Sequence, residues 1–251
     1  MADLRLWLSA AAVLTWVAAG TALAQQPPPI FDDSEREAIE GIIADYILDN
    51  PEIVYRALQI LQERQQAAEA ERARLALEAH RDALERDPNS PVGGNPDGDV
   101  TVVEFFDYRC PYCKRVAPDV ERLTAEDGKV RLVYKEWPIL GPESVFAARA
   151  ALAAREQDQY LALHERLMAL EQVTEASVMA AASDVGLDIP QLREDMAAPE
   201  VEAHLRQSMQ LAETLGITGT PAFVIGDQVV PGAASYDTLS GLVRAVRGAD
   251  E

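Results

Sequence analysis

Both cysteines of this 251-residue chain lie in one tetrapeptide, Cys110-Pro111-Tyr112-Cys113. Residues 100–107 before it read VTVVEFFD, the Val and Phe composition of a buried strand, whereas Val116, Val120 and Leu123 after it keep helical spacing. The cysteines therefore sit where a strand turns into a helix, with Pro111 suited to the first helical position because no N–H is needed there. A helix N-terminus presents unpaired N–H groups and the positive end of the helix dipole, which favours a thiolate over a thiol. Cys110 is thus the expected acidic and nucleophilic sulfur, its pKa lowered from about 8.5 into a range of roughly 3.5–7.5. Cys113, one turn deeper, is the expected resolving thiol.

The net charge of −20 argues against nucleic acid as a partner, because phosphate binding needs a basic surface. The length suits one large domain and an accessory segment. Residues 1–24 read as a secretory signal: residues 6–19 are weakly polar to apolar, and Ala22-Leu23-Ala24 before Gln25 is a small-x-small cleavage site. Arg5 is offset by Asp3, which leaves an uncleaved N-terminal anchor as the lesser alternative. Export implies an oxidising compartment, where a cysteine pair is readily oxidised and the plainest alternative is a small structural disulfide. A zinc site needs about four ligands, and beyond the cysteines only His80, His164 and His204 are obvious candidates, none at ligand spacing from another. No metal and no organic cofactor is expected.

Along the chain, Ser34 with Glu37 three residues later reads as a capping box, followed by an apolar face of Ile39, Ile42, Ile43, Tyr46 and Ile47. Asn50-Pro51 starts a second helix, expected over residues 51–86. Its first half carries Ile53, Val54, Ala57, Leu58 and Leu61, and its second half reads as a solvated stalk with isolated leucines. Two such helices cannot form a core alone, so residues 25–86 are expected to pack either on the catalytic domain or on copies of themselves, self-association being favoured. The Pro/Gly-rich residues 87–99 mark the domain boundary. The domain over 87–251 then reads as strand 100–107, the active-site helix, strand 130–136, helices over about 142–215, strands 222–225 and 228–230 joined by Gly226-Asp227, and a closing helix from Tyr236. A βαβ unit with Cys-x-x-Cys at its junction, a helical insert and a β-β-α close make the fold class α/β: a thioredoxin fold with an inserted helical domain, preceded by an N-terminal helical arm. His164 and His204 fall in helical segments and read as surface or packing residues.

FFDYRCPYCKR, followed far downstream by GITGTPAFVIG, resembles the DsbA-like family of exported thiol-disulfide oxidoreductases, from about Ser90 to the end. The helices ending in DNPEIVYRALQILQ resemble its ScsC-like and Com-one-like branch, some members of which oligomerise through this segment. The resemblance implies exchange of disulfides with unfolded or misoxidised exported proteins, a membrane redox partner protein, and a homo-oligomer, a trimer favoured, through residues 31–86. It implies a cis bond at Thr220-Pro221 and a substrate strand hydrogen-bonded to the Thr220 backbone beside Pro111 and Tyr112. Glu104, six residues before Cys110, matches the family's buried acid and would relay a proton to or from Cys113; the alternative is a surface glutamate on an edge strand. Lys135 and Glu136 are further candidates for charge near the site. Threonine before the downstream proline points towards isomerase or reductase types, and Tyr112 replaces the histidine of the strong oxidases. The competing class is a non-enzymatic envelope protein whose cysteine pair binds a soft metal such as copper or closes a structural loop.

Overall fold

The computed structural model describes residues 30–249; the segment 1–24 expected to be a signal lies outside the described residues. The described residues divide into two compact units that meet between Leu61 and Gln62.

In the first unit, α1 spans Asp33–Asp49 and α2 begins at Glu52. The capping box exists two residues earlier than Ser34/Glu37: Asp32 is the N-cap, its carboxylate accepts from the Glu35 N–H, and Glu35 accepts from the Asp32 N–H. Both pairs fit the same spacing rule, and the earlier one removes two orphan donors while placing Asp33 and Glu35 in the first turn against the positive helix end. The apolar stripe lacks cover: Ile42, Ile43, Tyr46, Ile53, Val54, Leu58 and Leu61 are all exposed.

The second unit is built on a five-stranded sheet of order β1-β3-β2-β4-β5, formed by Val92–Gly94 (β1), Val100–Phe106 (β2), Val130–Glu136 (β3), Ala222–Ile225 (β4) and Gln228–Pro231 (β5). β2 and β3 run parallel and the other neighbours antiparallel. β1 arises inside the stretch read as a linker, where Pro91 to Gly94 pair with the edge of β3. The connection from β2 to β3 is helix α3, Pro111–Asp127, which ends where Gly128 takes a left-handed φ of 65° and its N–H bonds Thr124 O. Between β3 and β4 come α4 (Pro142–Ala153), a short 3-10 turn, α5 (Tyr160–Ala169), α6 (Glu175–Asp184), α7 (Ile189–Asp195) and α8 (Pro199–Thr214); α9 (Tyr236–Ala249) closes the chain.

Strand alternation divides the core into two layers. Val100, Val102 and Phe106 of β2 join Leu132 and Tyr134 of β3 beneath Val116, Val120 and Leu123 of α3 and Leu239 and Val243 of α9. On the opposite face Val103, Phe105 and Val133 meet Leu211 and Leu215 of the α8 end together with Leu77 and Leu84 of α2. Helix α2 is continuous over Glu52–Glu85, so its later half is a packing element, not the solvated stalk its Ala, Glu and Arg content suggests. Only one leucine per two turns is needed to seat a helix on a flat apolar sheet, and Leu77 and Leu84 are seven residues apart on one face.

Candidate functional site

Cys110 is the N-cap of α3, in extended conformation at φ −71° and ψ 117°, and Pro111 occupies the first helical position. Its Sγ accepts the Cys113 N–H at 3.4 Å and lies 3.2 Å from the Thr220 carbonyl oxygen, to which the thiol donates. The Thr220–Pro221 bond is cis. Both thiols are free and both are buried. Burial pushes the Cys113 thiol far up, against a smaller lowering by a backbone hydrogen bond from Asp107. A Cys113 thiolate is therefore strongly basic and calls for a nearby proton donor.

Glu104 supplies a neighbouring carboxyl. β2 is the central strand, and within it residue 104 shares parity with Val102 and Phe106, so its side chain faces the α3 layer rather than an exposed edge. It is 2% exposed, paired in register with Tyr134 on one side and Phe223 on the other. Removal from water pushes its pKa from 4.5 to about 8. Tyr112, by contrast, is 55% exposed at the start of α3, with the Arg115 guanidinium 5.1 Å from its ring centre.

Lys135 does not reach this site. Parity along β3 puts it on the far face, where its ammonium donates to Ser90 Oγ at 2.6 Å and Ala83 O at 2.7 Å and lies 3.5 Å from Asp87. Glu136 returns to the near face but is committed to the Tyr160 hydroxyl, with His204 Nε2 3.4 Å from its other oxygen. His204 is buried between Glu136 and Asp87. His164 is a packing residue: its ring contacts Phe106, Tyr108, Tyr134 and Tyr160, its Nδ1 is 3.0 Å from Tyr108 Oη, and burial lowers its pKa to about 3. Among the described residues no group of three His, Cys, Asp or Glu side chains is arranged to hold a metal ion.

Two residues around the cysteines had no sequence signal. Lys114 follows Cys113, and its ammonium donates to the carbonyls of Leu167, Met168 and Leu170 at 3.0, 3.2 and 2.8 Å, capping the C-terminus of α5. Asp107 is buried at the end of β2. Its Oδ1 accepts the Arg109 N–H at 2.7 Å, its Oδ2 accepts the N–H groups of Ile139 and Leu140 at 2.8 and 2.9 Å, and its backbone oxygen accepts the Cys110 N–H at 3.0 Å. Arg109, Lys114, Glu143, Glu171, Gln172, Val173 and Thr174 line a cavity of about 330 Å³ next to the cysteine turn.

Comparison with known proteins gives a consistent assignment. Residues 101–244, more than half of the chain, match the family model described as "DSBA-like thioredoxin domain", and residues 35–68 match that of the "Copper resistance protein ScsC N-terminal domain". The crystal structure of a thioredoxin-like oxidoreductase from Silicibacter pomeroyi is 56% identical, covering 67% of this chain and 98% of that one with a TM-score of 0.66. A linker-deletion mutant of Proteus mirabilis ScsC is 30% identical, covering 89% of this chain and 100% of that one with a TM-score of 0.68. A curated relative, the Na(+)/H(+) antiporter NhaA 3 of Salinispora tropica, is 31% identical over 184 residues, which are 70% of this chain and 28% of the antiporter. The chain thus spans little more than a quarter of that relative's length.

Proposed function

Because the chain belongs to the DSBA-like thioredoxin domain family and carries an N-terminal segment of the ScsC type, we propose that it is an exported protein thiol-disulfide oxidoreductase working through Cys110 and Cys113. The observation that carries this reading is the placement of Cys110 Sγ at the first turn of α3, against the Thr220 carbonyl and beside Pro221. An extended substrate laid along Thr220 brings its own sulfur to Cys110. The small-x-small stretch at residues 22–24 supports export.

In the oxidised enzyme a substrate thiolate attacks Cys110 Sγ, the Cys110–Cys113 bond breaks, and Cys113 leaves with the electron pair. Burial makes that thiolate strongly basic, and Glu104, protonated at neutral pH by its own burial, is the nearby acid that supplies its proton. The second substrate thiolate then attacks the substrate sulfur of the mixed disulfide and releases Cys110. Two electrons pass from substrate to enzyme, the two substrate thiol protons are released to solvent, Cys110 leaves as the thiolate and Glu104 regains its proton from solvent; a membrane redox protein that accepts electrons from dithiols returns the enzyme to its disulfide. In the opposite direction reduced Cys110 attacks a wrong substrate disulfide, and Cys113 resolves the complex. Self-association is expected through residues 31–86; with Leu77 and Leu84 buried against the sheet, the exposed Ile, Leu and Tyr stripe of α1 and early α2 is the part that supports it, a trimer favoured, an arrangement that suits an isomerase.

Cys110→Ser is expected to abolish turnover of a scrambled-disulfide protein, and Cys113→Ser to accumulate mixed disulfides visible on non-reducing gels. Unchanged turnover in both variants overturns the reading. The description of the N-terminal family as copper resistance favours one second reading, in which the two thiols serve as soft ligands for Cu(I); tight copper binding by a protein that exchanges no disulfide would select it.

A further inference from the structure

The segment after β3, residues 137–141 (WPILG), leaves two large apolar side chains in solvent, Ile139 at 44% and Leu140 at 42% exposure. Exposed loop residues ordinarily gain nothing by being held still, since ordering them costs conformational entropy. Here the backbone is fastened at every turn. Trp137 N–H donates to Phe106 O at 2.9 Å, Ile139 and Leu140 N–H both donate to Asp107 Oδ2, and Leu140 O accepts from the Arg109 guanidinium. Gly141, at φ 118°, has no side chain to collide with that guanidinium, which lies 3.0 Å from where a Cβ would be.

The fastener is the same carboxylate that fixes the cysteine turn. Asp107 Oδ1 holds the Arg109 N–H, and the Asp107 carbonyl holds the Cys110 N–H, so one residue sets the reacting sulfur and the apolar pair in a single frame. Consecutive residues of an extended substrate are about 3.8 Å apart. Because the Asp107 carbonyl holds the Cys110 N–H and its carboxylate holds the N–H groups of Ile139 and Leu140, the segment that follows Trp137 is within a few such spacings of the reacting cysteine.

We propose that Asp107 is a positioning residue for substrate selection: it presents Ile139 and Leu140 as a fixed apolar contact beside Cys110, and the enzyme thereby favours polypeptides with an apolar side chain adjacent to the reacting cysteine. This rests on the exchange activity proposed above. Asp107→Asn is nearly isosteric, but an amide offers only one acceptor oxygen to three N–H donors and turns its own NH₂ towards the rest. The loop is then released without a change in side-chain volume.

The test uses the oxidised full-length protein and two dithiol peptides identical except for Leu or Ser beside one cysteine. Wild type is expected to prefer the Leu peptide by about 10-fold in kcat/KM, the scale of one small apolar contact, with the preference in KM. Asp107→Asn and the exposed-pair variant Ile139→Ser/Leu140→Ser are each expected to bring that ratio to about 1, whereas Leu140→Met retains it. The exposed-pair variant answers the question even if Asp107→Asn fails to fold. A ratio near 1 in wild type, or one that survives in the exposed-pair variant or in folded Asp107→Asn, overturns the proposal. Oxidation of dithiothreitol by wild type separates the two levels: a wild type that oxidises dithiothreitol but ignores the Leu/Ser difference refutes the selection alone, and one that does neither refutes the exchange reading with it.

Discussion

Replacing Glu104 by glutamine should leave stability nearly unchanged in acid and raise it in alkali. Glu104 is buried in the central strand, and burial lifts its pKa from 4.5 to about 8. Between those values the folded protein keeps a proton that the unfolded chain has lost, so the native state binds more protons and stability falls as pH rises. The contribution is fully present below pH 4.5, declines across the window, and is flat above about pH 8. At about 1.4 kcal/mol per pH unit, the loss across the window is about 5 kcal/mol. The amide of the Glu104→Gln variant carries no ionisable proton and fills the same space. The two proteins should therefore be of similar stability at pH 4.5, with the variant more stable by about 5 kcal/mol at pH 9. Urea unfolding followed by tryptophan fluorescence, with reductant present so that both thiols stay free, measures the difference at each pH. A difference that stays constant from pH 4.5 to 9 refutes the argument, because it would mean that the carboxyl titrates alike in both states and is not poised to hand a proton to Cys113.

His164 should give the opposite slope. Its pKa falls from 6.5 to about 3 on burial, so stability is fully present above pH 6.5 and is lost as pH drops towards 3; His164→Gln should flatten this acid limb in the same unfolding series, and an unchanged limb would assign acid sensitivity elsewhere. Leu84→Ala should cost about 2–5 kcal/mol, read from the urea midpoint, since Leu84 is buried against the sheet. A chain beginning at residue 62 should fold and sediment as a monomer, whereas one beginning at residue 87 loses both Leu77 and Leu84 and should not fold stably; equal melting of the two would contradict the packing role of late α2.

The residues that a local pattern governs were the legible ones. A strand ending in Phe105-Phe106, a proline after Cys110 and helical spacing from Val116 place the thiols at a helix start without reference to anything distant. The chain order of β2 to β5, the helices inserted between β3 and β4 and the Gly226-Asp227 hairpin follow from the same kind of signal. What escaped depends on partners far along the chain. VTVVEFF reads equally as an edge or a central strand, so the burial of Glu104 waited on β3 and β4 flanking β2. Asp107 looks like any turn aspartate until the N–H groups of residues 139 and 140 arrive more than thirty positions later. Late α2 is polar by composition, and two leucines on one face carried too little pattern to announce a buried seam. Lys135 and Glu136 were separated by a rule that the sequence does contain, the alternation of a strand, once its register is fixed.

Lys114 gives the inserted helices a different standing from that of an added module. Its ammonium fills the open carbonyl end of α5 from the position directly after Cys113. Trimming the insertion to make a minimal thioredoxin-like enzyme would strip Lys114 of these three carbonyls and turn its ammonium into water one residue from the resolving thiol. Lys114 interacts with both cysteines, so a change in its surroundings would alter the redox balance of the trimmed protein along with its shape. Any redesign that shortens the insertion therefore has to begin by changing residue 114, and a chimera that exchanges α5 for another helix inherits the same requirement: three carbonyls, ending where this lysine can reach them.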